Sequence, residues 1–118
     1  MRKIDRMRAC RKLDEDQRWF WVAAKRNSDR TDWLREVRQA LGISVTELAR
    51  EMKVNRSAIF RIEKREKRKR SSLETLGRIA EAMGCKLVYA VIPKVGTFDE
   101  LAERREWKKR LTEAIFKP

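Results

Sequence analysis

The stretch from Ser44 to Glu63 constrains the fold of this chain most, because it holds two helix signals with room for only a tight turn between them. Ser44 and Glu47 make an S-x-x-E pattern, in which each side chain satisfies an orphan backbone amide near the other. Leu48, Ala49 and Met52 follow on one helix face, and Val54 fills the turn. Asn55 is a ready N-cap for the second helix, with Ala58, Ile59 and Ile62 on its inner side. Helices this short draw their stability from packing against neighbours.

The flanking segments supply those neighbours. Trp33, Leu34, Val37 and Leu41 share a face, with Thr31 or Asp32 as N-cap and Gly42 as the stop. Beyond Ser71-Ser72, the residues Leu73, Leu76, Ile79, Ala80 and Met83 form another stripe that Gly84 ends. Residues 86–92, Lys-Leu-Val-Tyr-Ala-Val-Ile, are rich in β-branched and aromatic side chains and stop at Pro93, so they read as a strand. Thr97 and Glu100 repeat the capping pattern before a helix running to about Phe116, with Phe98, Leu101, Leu111 and Ile115 on one side. Upstream, Ile4, Met7, Cys10 and Leu13 fall near helical spacing. Trp19-Phe20-Trp21-Val22-Ala23-Ala24 reads as either a helical turn or a short strand, and Asn27 to Arg30 as a loop. The expected fold is mainly α: a helical bundle with one C-terminal β-strand and a terminal helix. Its expected parts are an extension over 1–30, a helical domain over 31–84, and a strand plus helix over 85–118.

Charge is the second constraint. The chain of 118 residues carries a net charge of +13. Between Lys53 and Arg70 lie nine basic and two acidic residues, so +7 of that charge sits in 18 positions. Clustering of this kind favours a polyanion, and nucleic acid is the usual one. Cys10 and Cys85 are far apart without metal-ligand spacing, which suits free thiols in a reducing cytoplasm. The longest apolar run, Leu87 to Pro93, is too short for a secretory leader or a membrane span. The chain has no histidine, no Cys-x-x-Cys pair, no Gly-rich phosphate loop and no serine-nucleophile motif. Neither catalysis, a cofactor nor a metal is expected. Asp14-Glu15-Asp16 reads as a patch that balances nearby arginines.

Charge and pattern meet at the second of the two short helices. Two helices across a tight turn can present the second to the major groove of double-stranded DNA. Arg56, Ser57, Phe60 and Arg61 then lie on its outer side as candidate base readers. An arginine binds guanine O6 and N7 with two parallel hydrogen bonds, and a phenylalanine meets a thymine methyl. Thr46, Lys53, Asn55, Lys64, Lys67, Arg68, Lys69 and Arg70 are candidate phosphate contacts. Glu63 is expected to be structural, held by an arginine or a helix terminus. The Trp19–Trp21 aromatics and Trp33 are expected in a core or a partner-binding groove.

The residues from Leu34 to Glu63, followed by Ser72-Leu-Glu-Thr-Leu-Gly-Arg-Ile-Ala-Glu-Ala-Met-Gly, resemble the Cro/C1-type, or Xre, helix-turn-helix family. Met83-Gly-Cys-Lys-Leu-Val-Tyr-Ala-Val-Ile-Pro-Lys is similar to the mobile mystery protein A branch, and its strand is similar to that of Hip-type antitoxins. The resemblance implies an antitoxin-like repressor with a Fic-domain toxin as protein partner. It also implies base reading at Arg56, Ser57 and Arg61. The family often has a phosphate-binding Gln where this chain has Val45, and Thr46 is the available substitute. The inhibitory S/T-x-x-x-E motif of Fic antitoxins, followed by G or N, is absent, which points to transcriptional control.

One recognition helix covers only a few base pairs. A two-fold homodimer reads two half-sites of a palindromic operator about 34–36 Å apart. Leu87, Val88, Tyr89, Ala90, Val91 and Ile92 are the candidate dimerisation residues, through a ribbon of two strands related by symmetry. Pairing within the chain, with residues 19–24, is the alternative.

Overall fold

The computed structural model describes residues 2–26 and 30–116. Positions 27–29 of the expected loop lie outside the described residues. The helices are α1 (Lys3–Asp16), α2 (Arg18–Arg26), α3 (Trp33–Ala40), α4 (Val45–Met52), α5 (Arg56–Lys67), α6 (Leu73–Ala82) and α7 (Phe98–Phe116). The chain divides into two compact units, one spanning Asp29–Tyr89 and the other combining Met1–Ser28 with Ala90–Pro118.

The Asp29–Tyr89 unit holds α3 to α6 around a single core. Leu48, Ile59 and Ile79 are its most deeply buried side chains, one each from α4, α5 and α6. Leu34, Val45, Ala49 and Met83 close around them. The caps fall where the polar residues predict. Ser44 Oγ accepts from the Glu47 amide at 3.0 Å, Asn55 Oδ1 from the Ala58 amide at 2.8 Å, and Ser72 Oγ from the Thr75 amide at 3.1 Å.

The start of α3 is fastened differently. Asp32 occupies its N-cap position without a side-chain cap bond. Instead Glu66, on α5, accepts from the Leu34 amide at 3.0 Å, and Thr31 Oγ1 donates to the Lys67 carbonyl at 2.9 Å. The last turn of α5 thus supplies what the local sequence lacks.

The C-terminal β-strand expected over 86–92 is not formed, and the described residues hold helices and connecting segments but no strand. A strand exists through its cross-strand hydrogen bonds, and β-branched composition expresses only a preference for a half-buried pleated surface. The intrachain mate considered for it, residues 19–24, lies inside α2. Residues 85–92 are therefore a connecting segment from one unit to the other, with Leu87 half-buried and Val88, Tyr89 and Val91 exposed.

In the second unit α1 packs along α7, and α2 follows α1 after a break at Gln17. Asp14 caps α7 from a distance of more than eighty residues in sequence. Its carboxylate accepts from the Phe98 amide at 2.7 Å and from the Asp99 amide at 3.3 Å. A carboxylate at a helix N-terminus is favoured by the helix dipole as well as by the bonds. Asp14, from the acidic patch expected to balance arginines, holds this cap instead, and none of Asp14, Glu15 and Asp16 forms an ion pair with a described residue. Trp19 and Phe20, expected in a core or groove, are exposed, and so is Trp33 in the other unit, whose ring lies under the Arg30 guanidinium at 4.2 Å.

Candidate nucleic-acid interface

Helix α5 is set by one deep contact and one cap. Ile59 is fully buried and Asn55 closes the first turn. With that face inward, Arg56, Ser57, Phe60 and Arg61 come out together on the exposed side. Phe60 is 50 % exposed, an unusual state for a large aromatic next to a core. Neither Arg56 nor Arg61 forms an ion pair with any described residue. Both guanidiniums keep their full donor fork for an external acceptor.

Glu63, one turn further along, points the other way. It is buried with Arg38 of α3, which bonds Oε1 through Nε at 2.6 Å and Oε2 through Nη2 at 3.4 Å. A third Arg38 donor, Nη1, reaches the Ile43 carbonyl at 3.3 Å. This pair ties α3 to α5 and fixes the rotation of the helix that carries the candidate readers.

The turns on either side of α5 share a device. Lys53 and Lys69 have φ of 57° and 59°, the left-handed conformation that normally selects glycine. Each sits just past a helix end, where the following amide reaches back to a carbonyl. Val54 bonds to Ala49 at 2.9 Å, and Arg70 bonds to Arg65 at 2.8 Å. Two lysines thus occupy strained positions at the two ends of the exposed helix, where glycine would be easier for the backbone.

Lys64, Lys67, Arg68, Lys69 and Arg70 are all exposed. The first three of them line a cleft of about 660 Å³ between α3 and α5, together with Phe60 and Arg35. The carboxylates on its walls are already engaged, Asp32 by Arg30 and Glu63 by Arg38. Arg35, Lys64, Lys67 and Arg68 form no ion pair with any described residue, and such a surface suits phosphate. Arg35 was not among the sequence candidates. Only the packing of α3 on α5 brings it there, and no local signal marks it. Thr46 is exposed in the first turn of α4, whereas Val45, at the position where a polar contact was sought, belongs to the core. The candidate dimerisation residues Leu87 to Ile92 belong to the connecting segment.

Burial raises the carboxyl of Glu66 above the usual 4.5. The Leu34 amide opposes that rise, Asp32 and Glu63 add to it, and Arg30 lowers it. The sign of the pH effect follows. Below pH 4.5 the group is neutral folded and unfolded, and its ionisation costs nothing. Above 4.5 the unfolded chain ionises first, so the folded state loses ground until the pH passes the folded value. Glu66→Gln keeps an acceptor for Leu34 and removes the ionisation. It is expected to abolish that part of the stability loss between pH 4.5 and neutrality, as read by urea unfolding at several pH values. Glu66→Ala leaves the Leu34 amide without its partner and costs about 1 kcal/mol, the scale of a missing cap.

Residues 34–89 match the Helix-turn-helix family model. That segment is similar to a helix-turn-helix domain, and a domain of this kind suggests DNA binding and transcription regulation. No curated protein and no solved structure matches the chain. No described helix is long and apolar enough to cross a membrane.

Proposed function

We propose that the chain is a sequence-specific transcriptional repressor that binds double-stranded DNA as a homodimer on a palindromic operator. The observation that carries this reading is the joint exposure of Arg56, Ser57, Phe60 and Arg61 on a helix rooted at Ile59, within the matched segment. Base contacts from those four residues specify the sequence, and the cations from Lys64 to Arg70 hold the phosphates on either side. A repressor of this kind acts by occupying its operator. The similarity of residues 83–94 to an antitoxin-like branch supports control of its own, toxin–antitoxin-like operon.

Electrophoretic shift of its own promoter against a random duplex, at one salt concentration, tests the reading. The promoter fragment is expected to bind at least about 1,000-fold more tightly. Equal affinity for both duplexes would overturn sequence specificity. Lys53→Gly separates fold from interface. Relief of the left-handed backbone, worth about 1–2 kcal/mol, exceeds the entropy cost of the new glycine, so the variant unfolds at a higher temperature. Without the ammonium at that position one phosphate goes unneutralised, so DNA binding weakens and the salt slope falls by about one.

A second reading, an antitoxin that acts by binding a Fic-type or other toxin enzyme, is favoured by one observation. Trp19, Phe20 and Val22 are exposed on α2, outside the helix-turn-helix match. Co-purification with the product of the neighbouring gene, abolished in Trp19→Asp with Val22→Asp, is its test. A complex that survives both substitutions would remove α2 from that role.

A further inference from the structure

The two helices across the tight turn, α4 and α5, do not exhaust the exposed cationic surface. Helix α3 lies outside that pair and supplies the second wall of the cleft beside α5. The α5 wall is Phe60, Glu63, Lys64 and Lys67, at i, i+3, i+4 and i+7, one flank of the helix. The α3 wall is Arg35 and Arg38, with Asp32 at the N-cap. Leu34 and Arg38 are buried, and Arg35, between them in sequence, stays exposed while lining the cleft.

The charge of the cleft selects an anion. Five cations and two carboxylates line it, a net charge of +3. Both carboxylates are engaged within the same unit, Glu63 by Arg38 and Asp32 by Arg30. That leaves Arg35 on α3 facing Lys64, Lys67 and Arg68 with no carboxylate to spare for any of the four. A guanidinium suits a phosphate better than an ammonium does, because its planar fork takes two oxygens at once.

The walls are also held at a fixed spacing. Arg38 and Glu63 are both buried and bond from one wall to the other at 2.6 Å and 3.4 Å. A seat built before its ligand arrives loses little freedom on binding. The same bond keeps Arg35 at a set place relative to the readers on α5.

We infer that Arg35 is a DNA-backbone contact, and that the cleft between α3 and α5 seats one sugar–phosphate strand. Arg35 grips that strand from one side, and Lys64, Lys67 and Arg68 grip it from the other. The inference rests on the DNA-binding reading given above and extends its surface to a third helix. A phosphate held at Arg35 helps to position α5 in the groove and carries no sequence information of its own.

Arg35→Ala in the full chain tests it, beside Arg35→Lys and Arg78→Ala. Arg78 is exposed on α6 of the same unit and lies outside the cleft, so its loss removes an equal charge elsewhere. Arg35 is exposed and without an ion pair, so thermal unfolding of Arg35→Ala is expected to match the parent. Its affinity for operator and random duplex falls alike, by roughly 10-fold per protomer, the scale of one charge-assisted hydrogen bond. The slope of log K against log salt falls by about 0.9 per protomer. Ethylation interference on the operator loses one phosphate in each half-site. Arg35→Lys keeps the charge and most of the slope, and Arg78→Ala keeps both the slope and the interference pattern. If Arg35→Ala binds the operator with the parent's slope and pattern, the strand lies elsewhere, and the DNA-binding reading survives without the inference. An equal loss in Arg78→Ala overturns it too, because overall charge alone is then at work. A collapse of the operator's advantage over the random duplex places Arg35 on a base and not on the backbone. A parent chain that binds neither duplex overturns the inference together with the reading beneath it.

Discussion

Replacing Arg38 by methionine is expected to cost the Asp29–Tyr89 unit about 3–5 kcal/mol, the usual effect of stranding a buried charge. Arg38 and Glu63 are 8 % and 9 % exposed and bonded through two donors, with a third donor spent on the Ile43 carbonyl. Without the guanidinium, the Glu63 carboxylate is left in the core with no cation to compensate its desolvation. A unit of this size has a total stability of roughly 3–9 kcal/mol, so Arg38→Met leaves much of it unfolded at ambient temperature. The double variant Arg38→Met with Glu63→Met removes both charges and fills similar volume, and is expected to be neutral or up to about 1–4 kcal/mol more stable than the parent. Thermal and guanidinium unfolding of the three chains decides the matter. A single variant as stable as the parent would mean that water reaches the pair. Because the pair fixes the rotation of α5, the double variant also asks whether the ion pair is needed for geometry or only tolerated in it.

The residues that specify local structure are legible in the sequence, and those that act across the chain are not. Ser44, Asn55 and Ser72 announce their helices because each cap bond spans three residues. The buried stripe through Leu48, Ile59 and Ile79 follows from helical spacing for the same reason. Glu66 at the start of α3 and Asp14 at the start of α7 reach their amides from 32 and 84 positions away, where no local pattern can point. The left-handed lysines escape notice because composition marks such turns by glycine, and here a charged side chain stands instead. The strand expected over 86–92 fails for a related reason. Its side chains favour a pleated surface, but pairing is decided by what lies alongside, and residues 19–24 are taken up in α2. At the candidate interface, exposure of Arg56 and Arg61 follows from the burial of Ile59. The cleft with Arg35 needs the packing of α3 to be seen.

Arg56→Ala combined with Arg61→Ala is expected to abolish operator recognition without harming the fold. Each bidentate contact to guanine discriminates by roughly 1–3 kcal/mol, so the pair is worth about 2–6 kcal/mol on each recognition helix. That is a reduction of roughly 30-fold to 10⁴-fold per half-site. Both side chains are exposed and hold no described partner, so unfolding curves should stay within about 0.5 kcal/mol of the parent. Salt dependence then separates readers from phosphate contacts. The double arginine variant should lose the difference between operator and random duplex while keeping most of the slope of log K against log salt. Removing Lys64, Lys67 and Arg68 should do the reverse. It should weaken both duplexes alike and flatten the slope by about 2.7, at roughly 0.9 for each phosphate that is no longer neutralised. If the two arginines change the slope and leave specificity intact, they lie on the backbone, and the reading of bases must be sought at Ser57 and Phe60.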